Sequence, residues 1–227
     1  GVDAARVRLY PSPLSQIDLV VRPSQTAAGD EVTALGRGLA TWHNWELSGW
    51  AGSLYGDVTG AFGAAGGLGS WAVRSEGTLR QIDGAVVFRG AIGLDRLLQV
   101  GGRDLSVGVE YQRDNLAAAN PGEYLRVVLS EPFRRGEFQV LGRDETVVFT
   151  TFQLHPLVGL SGLWLWNLND RSALLAPSVS YSAGDEVSVS GGVYVGVGES
   201  AVTPDRPLAS EYGQSGTTGY ASISWFF

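Results

Sequence analysis

Cysteine and lysine are absent from this 227-residue chain, and histidine occurs only twice. Without cysteine there is no disulfide framework and no thiolate metal site. Two histidines, His43 and His155, leave little for a histidine-based site, and no cofactor is expected. All 16 basic residues are arginine, a bias that codon usage accounts for. Charged residues make up 17% of the chain, against roughly 25% in soluble domains. With 23 acidic residues the net charge is −7. That balance argues against a nucleic-acid surface, where a basic footprint dominates affinity. Runs of 18 or more uncharged apolar residues are missing too, which excludes transmembrane helices but not membrane strands of about 9–11 half-apolar residues.

What the chain does have is alternation. At its end, Gly219, Ala221, Ile223, Trp225 and Phe227 share one face of a period-two segment, and Tyr220, Ser222, Ser224 and Phe226 share the other. A soluble protein seldom leaves such a two-faced, aromatic-tipped strand as its terminus, because chain ends fray. The same period predicts strands at Arg6–Tyr10, Gln16–Arg22, Leu35–Trp42, Trp45–Tyr55, Asp57–Ala65, Trp71–Gln81, Val86–Leu97 and Leu105–Gln112. After a break at Asn115–Asp144 it returns at Thr146–Leu154, Leu157–Trp166, Leu174–Ala183, Val187–Val197 and Gly219–Phe227. The 32 glycines are spread among these segments. Residues between Arg22 and Leu35 read as a polar loop, and His43-Asn44 as a tight hairpin turn. Tyr124–Leu129 reads as a short strand or a helical turn, and Glu131–Gly136 as loop.

Short turns at His155-Pro156 and Gly184-Asp185 alternate with long loops at Asn115–Asp144 and Glu199–Gly216. Transmembrane β-barrels have this asymmetry. The fold expected is therefore all-β, an antiparallel transmembrane barrel of about 12–14 strands, with residues 1–227 forming one barrel domain. The odd leftover strand at Arg6–Tyr10, with no initiator methionine before it, suggests further N-terminal strands outside this chain. A soluble β-sandwich is the alternative; it would bury Ile17, Phe88, Val107, Val193 and Ile223.

The terminal Tyr220-Ala221-Ser222-Ile223-Ser224-Trp225-Phe226-Phe227 resembles the C-terminal assembly signal of Gram-negative outer-membrane β-barrels. The stretch from Leu163 to Leu175 (LWLWNLNDRSALL), followed by Pro177–Ser182, resembles a segment of large porin-like barrels of that membrane, as does Leu141-Gly142-Arg143-Asp144. This chain resembles their C-terminal portion. The resemblance implies a location in the bacterial outer membrane and contact with its lipid and lipopolysaccharide. It also implies recognition of the last strand by the barrel-assembly machinery. It implies almost nothing about activity.

Arg6, Arg8, Asp18, Arg22, Arg74, Glu76, Arg80, Arg89, Asp95 and Glu110 fall on the polar sides of their strands. An arginine facing lipid would cost roughly 2–4 kcal/mol at the midplane, so these residues are expected to line a lumen. They either select solutes by charge or close the lumen through arginine–carboxylate pairs. Six arginines against four carboxylates suggest a weak anion preference. Trp71, Tyr111, Trp164, Trp166, Tyr181, Trp225 and Phe227 are expected in the interfacial aromatic girdles. Enzymatic activity is not expected: His43-Asn44 and His155 lack a serine in a suitable context for nucleophilic catalysis. Porin-like passage of small polar solutes is the leading function. A plugged barrel binding through its loops is the alternative, and a lipid-active enzyme comes third.

Overall fold

Alternating segments form stable strands only when their backbone groups are paired by neighbours, and here most find a neighbour within a few residues. The computed structural model describes residues 3–26, 29–204 and 206–226. Its strands are β1 (Ala5–Ser12), β2 (Ser15–Thr26), β3 (Gly29–Trp42), β4 (Trp45–Leu54), β5 (Asp57–Leu68), β6 (Trp71–Ile82) and β7 (Ala85–Val100). They continue as β8 (Arg103–Asp114), β9 (Asp144–His155), β10 (Val158–Asn167), β11 (Ala173–Leu175), β12 (Ser178–Gly184), β13 (Val187–Val197) and β14 (Thr218–Trp225). All belong to one antiparallel sheet in which β1 to β10 follow sequence order. At its ends, β1 pairs with β2 and β14 with β13.

The chain divides into two compact units, Gly1–Ile92 with Arg113–Leu116, and Gly93–Gln112 with Ala117–Phe227. In the first, two-residue turns join most strands. His43-Asn44 is the expected hairpin turn, with His43 in the left-handed region at φ 54°. Asp83 and Gly84, at φ 49° and 80°, form another, the type in which both central residues need positive φ and whose twist suits the flanking strands. The segment before Leu35 is not the loop expected from its Pro, Gly and Asp content. Arg22↔Thr33 through Thr26↔Gly29 continue the β2–β3 ladder, because long paired neighbours override weak local propensity.

In the second unit the expected strand Leu174–Ala183 is two strands, β11 and β12, in unchanged register with β10 and β13. Pro177 divides them: it has no N–H to donate, although its carbonyl still accepts from Val193 N–H at 3.1 Å. The long break contains two short helices, α1 (Tyr124–Val128) and α2 (Glu131–Arg134). The second replaces an expected loop. Ser130 caps it, its hydroxyl accepting from Phe133 N–H at 3.3 Å, with a proline in the first turn.

Burial is inverted relative to a water-soluble sandwich. Ile17, Val193 and Ile223, which a sandwich would bury, are exposed, as are Leu19, Leu79, Trp164 and Trp225. The buried strand residues are instead largely polar: Asp18, Thr33, Thr59, Arg80, Asp114, Glu145 and Asn167. A compact apolar cluster does exist in the second unit, outside the strands. Ala118, Tyr124 and Val127 are fully buried there, against Phe138, Leu141 and Leu208.

Candidate functional site: a charged sheet face and a buried loop clasp

Residues directly opposite each other in a ladder share a face, so the register of the first unit traces one continuous surface. Arg8 lies opposite Asp18, Asp18 opposite Arg37, Arg37 opposite Trp50, Trp50 opposite Ala61 and Ala61 opposite Thr78. By alternation Arg6, Arg22, Arg74, Glu76 and Arg80 lie on that same face. Val7, Leu19, Gly36, Ala51, Gly60 and Leu79 form the other, linked in the same way. Aromatic rings on the apolar face lie over glycines: a Cβ on Gly77 would stand 2.6 Å from Phe62 Cζ.

Several charges on the polar face are paired. Asp18 accepts from Arg6 and Arg8 at 2.9 Å each, and from the Gln16 amide. Its side chain is 4% exposed, whereas those of Arg6 and Arg8 are 49% and 39% exposed. Arg80 reverses this: at 7% exposure it is the covered partner, 2.7 Å from Asp57. The Tyr55 ring lies between Arg80 and Arg22, with centroid distances of 5.5 and 5.7 Å, and its hydroxyl accepts from Arg22 at 3.1 Å. Arg89 pairs with Asp114 at 2.8 Å. Arg74 and Glu76 are exposed on β6; Asp95 and Glu110 are half-buried on the second unit's parts of β7 and β8. Sequence reasoning missed Arg37, Tyr55, Asp57 and Asp114. Asp57 and Asp114 end their strands, where alternation gives the weakest signal.

The second unit holds a denser polar assembly, which ties its two long loops to the ends of β9 and β10. Asn167, fully buried at the end of β10, is its centre. Its side-chain oxygen accepts from Asn169 N–H at 2.8 Å and Asp170 N–H at 3.3 Å, an Asx turn. Its amide donates to the Tyr124 hydroxyl at 2.8 Å and to Glu211 at 2.7 Å. Glu211 also accepts from the backbone N–H groups of Leu141 at 2.6 Å and Gly142 at 2.9 Å. Asp170 accepts from the Tyr124 hydroxyl at 2.6 Å, Glu211 N–H at 2.7 Å and Ser172 N–H at 2.7 Å. Glu145 is fully buried beside the Tyr212 hydroxyl, which approaches it at 3.4 Å.

Burial, reinforced by the Asp170 hydrogen bond, holds the Tyr124 phenol well above its usual range. Burial and the nearby Glu211 and Glu145 do the same to Tyr212. Both phenols therefore stay neutral donors. The two internal motifs, Leu163–Leu175 and Leu141–Asp144, meet in this clasp. Asp144 N–H donates to Asn169 at 2.8 Å, and a Cβ on Gly142 would stand 2.7 Å from Asn167 Cγ. Sequence reasoning quoted these motifs without reading their chemistry. The Asn-x-Asn-Asp-x-Ser spacing, with its Asx-turn potential, was the available signal.

The expected interfacial aromatics lie as follows. Trp164 and Trp166 stack with centroids 5.8 Å apart, on the face that carries Leu160, opposite Val148 and Thr146 of β9. Tyr181, opposite Val158 and Val189, is exposed on that face, as is Trp225 opposite Val187. Trp71 is exposed at the start of β6. Tyr111, on the alternation of Val107 and Val109, donates its hydroxyl to Asp144 at 2.5 Å. Phe227 lies outside the described residues. His43 packs edge-on against Trp42, and His155 accepts from Leu157 N–H at 3.2 Å.

Among the described residues no cluster of three His, Cys, Asp or Glu is placed to hold a metal ion, and no helix is long and apolar enough to cross a membrane. No protein-family model, no curated protein and no solved structure matches the chain.

Proposed function

We propose that this chain is a transmembrane β-barrel, or the C-terminal portion of one, in a bacterial outer membrane, and that it passes small polar solutes along its charged face. The inverted burial carries this reading. Leu19, Leu79, Ile223 and Trp225 are presented to the surroundings while Asp18, Arg80, Asp114 and Glu145 are covered. Lipid, unlike water, rewards that arrangement, and a closed sheet leaves no backbone group unpaired in the bilayer. Barrel closure would follow from β1 and β14 meeting directly or through further strands.

In two of the ion-pair groups described above the carboxylate is the better covered partner. This holds for Asp18 against Arg6 and Arg8, and for Asp114, 13% exposed, against Arg89 at 29%. The guanidinium groups then meet passing solutes first, which favours anions weakly. Planar-bilayer recordings of the purified protein test this. Reproducible channels with a reversal potential shifted modestly toward anions are expected; clear cation selectivity removes the charge argument. The loop clasp favours a second reading, in which the loops close the barrel and act as a binding surface. Electrical silence together with heat-modifiable folding would select it.

A further inference from the structure

We propose that a hollow on the polar face of the second unit binds one ring of a neutral saccharide. The hollow, of about 270 Å³, is lined by Phe149, Thr151, Ser161, Ser178, Tyr194 and Tyr220 among others, and no lining residue is charged. The ladders explain why these side chains converge. Ser161 lies opposite Ser178 and Thr151, Ser178 opposite Gly192, and Gly192 opposite Tyr220, while Tyr194 is two residues along β13 from Gly192. All therefore share the face opposite Val189, Ile223 and Trp164.

The ligand class follows by matching groups. Tyr194 and Tyr220 lie 5.7 Å apart at 31°, offering apolar ring faces. Their hydroxyls have no hydrogen-bond partner among the described residues. Ser161 and Ser178 share one hydrogen bond at 2.6 Å, which leaves one hydroxyl proton and several lone pairs for a ligand. A phosphate or carboxylate would need a cation here, and an ammonium would need a carboxylate; neither lines the hollow. A purely apolar ligand would strip water from these hydroxyls without replacing it. Hydroxyl groups that both donate and accept, on a ring with an apolar C–H face, answer every lining group. The volume is just under the roughly 300–1,000 Å³ of pockets for drug-sized ligands, which suits one ring.

The site does not depend on conduction, so the two ideas fail separately. The folded protein in detergent is titrated with D-glucose, D-glucuronate and cyclohexane-1-methanol, with ligand-observed magnetic resonance as the readout. Glucose is expected to bind at millimolar concentration, more tightly than the other two. Ser178→Ala is expected to weaken it about threefold and Tyr220→Leu about fivefold or more, in line with a lost hydrogen bond or ring contact. Tyr194→Phe keeps the ring and should lose less than Tyr220→Leu. Equal or tighter binding of glucuronate or cyclohexane-1-methanol overturns the proposal. So does glucose affinity unchanged in both Ser178→Ala and Tyr220→Leu, each shown to be folded by heat-modifiable migration. Glucose binding without channel activity keeps the site and removes passage; channels without glucose binding do the reverse.

Discussion

Tyr124 spends its hydroxyl twice, donating to Asp170 at 2.6 Å and accepting from Asn167 at 2.8 Å. Because the folded phenol is held above its usual range, the sign of its pH linkage is set. Below about pH 10 the phenol is neutral in both folded and unfolded chains and contributes no pH dependence. Above that, the unfolded chain releases a proton that the folded one keeps, so stability falls by up to about 1.4 kcal/mol per pH unit for each such phenol. The unfolding midpoint in denaturant is expected to drop above pH 10, and to drop less steeply in Tyr124→Phe or Tyr212→Phe. Asp57→Asn is a second test at this scale. It removes one carboxylate facing an almost covered guanidinium, so a loss of up to roughly 3 kcal/mol is expected in equilibrium unfolding. Arg80 and Tyr124 differed in legibility. Arg80 was readable because it shares one side of β6 with Arg74, Glu76 and Thr78, in alternation with Val73, Gly77 and Leu79. Tyr124 was not, because nothing in Glu-Tyr-Leu-Arg reports a hydroxyl buried against a residue 46 positions away.

Strands were the most legible elements, since alternation is a local signal and most hairpins close within two residues. The exceptions have physical causes. Pro23 and Gly29 disguised the β2–β3 ladder, and Pro177 interrupted a strand without shifting its register. The Ser130-Glu131-Pro132 cap was a readable helix start that the surrounding charges obscured. The clasp was opaque as an element because its parts come from four separate stretches of chain. Its energetics rest on Glu211, the common acceptor for Leu141, Gly142 and Asn167. Glu211→Ala leaves these donors unsatisfied, at a cost of about 3 kcal/mol. Segment 115–143 carries Arg126, Arg134, Arg135 and Arg143, so trypsin reports its opening directly. Cleavage there is expected to be at least about tenfold faster in Glu211→Ala than in the parent. An unchanged rate would mean that the apolar cluster around Val127 holds the segment without the carboxylate.

At the scale of the whole molecule, the partition of side chains between two faces is the property that sequence conveyed best and on which the proposed function rests. Leu79 tests it, being exposed on the apolar face. In water, arginine at such a position changes stability by no more than about 0.5 kcal/mol; in a bilayer it costs about 2–4 kcal/mol near the midplane. Refolding Leu79→Arg into phosphocholine vesicles is expected to show the larger penalty, and the smaller one would point to a water-facing sheet. The clasp bears on a different use of the protein, the display of foreign peptides. The described residues between β13 and β14 form no strand beyond one isolated bridge, yet Ser210, Glu211 and Tyr212 are anchored through Glu199, Asp170 and Ser172. A graft there would be accepted only within the exposed stretch 200–204, whose bridge from Thr203 to Arg206 is local. A graft between Leu141 and Asp144 would pull the clasp apart from within. The Asp185-Glu186 turn, flanked by paired strands and exposed, would carry the same peptide with the fold intact, so yields of folded graft proteins should rank these three positions.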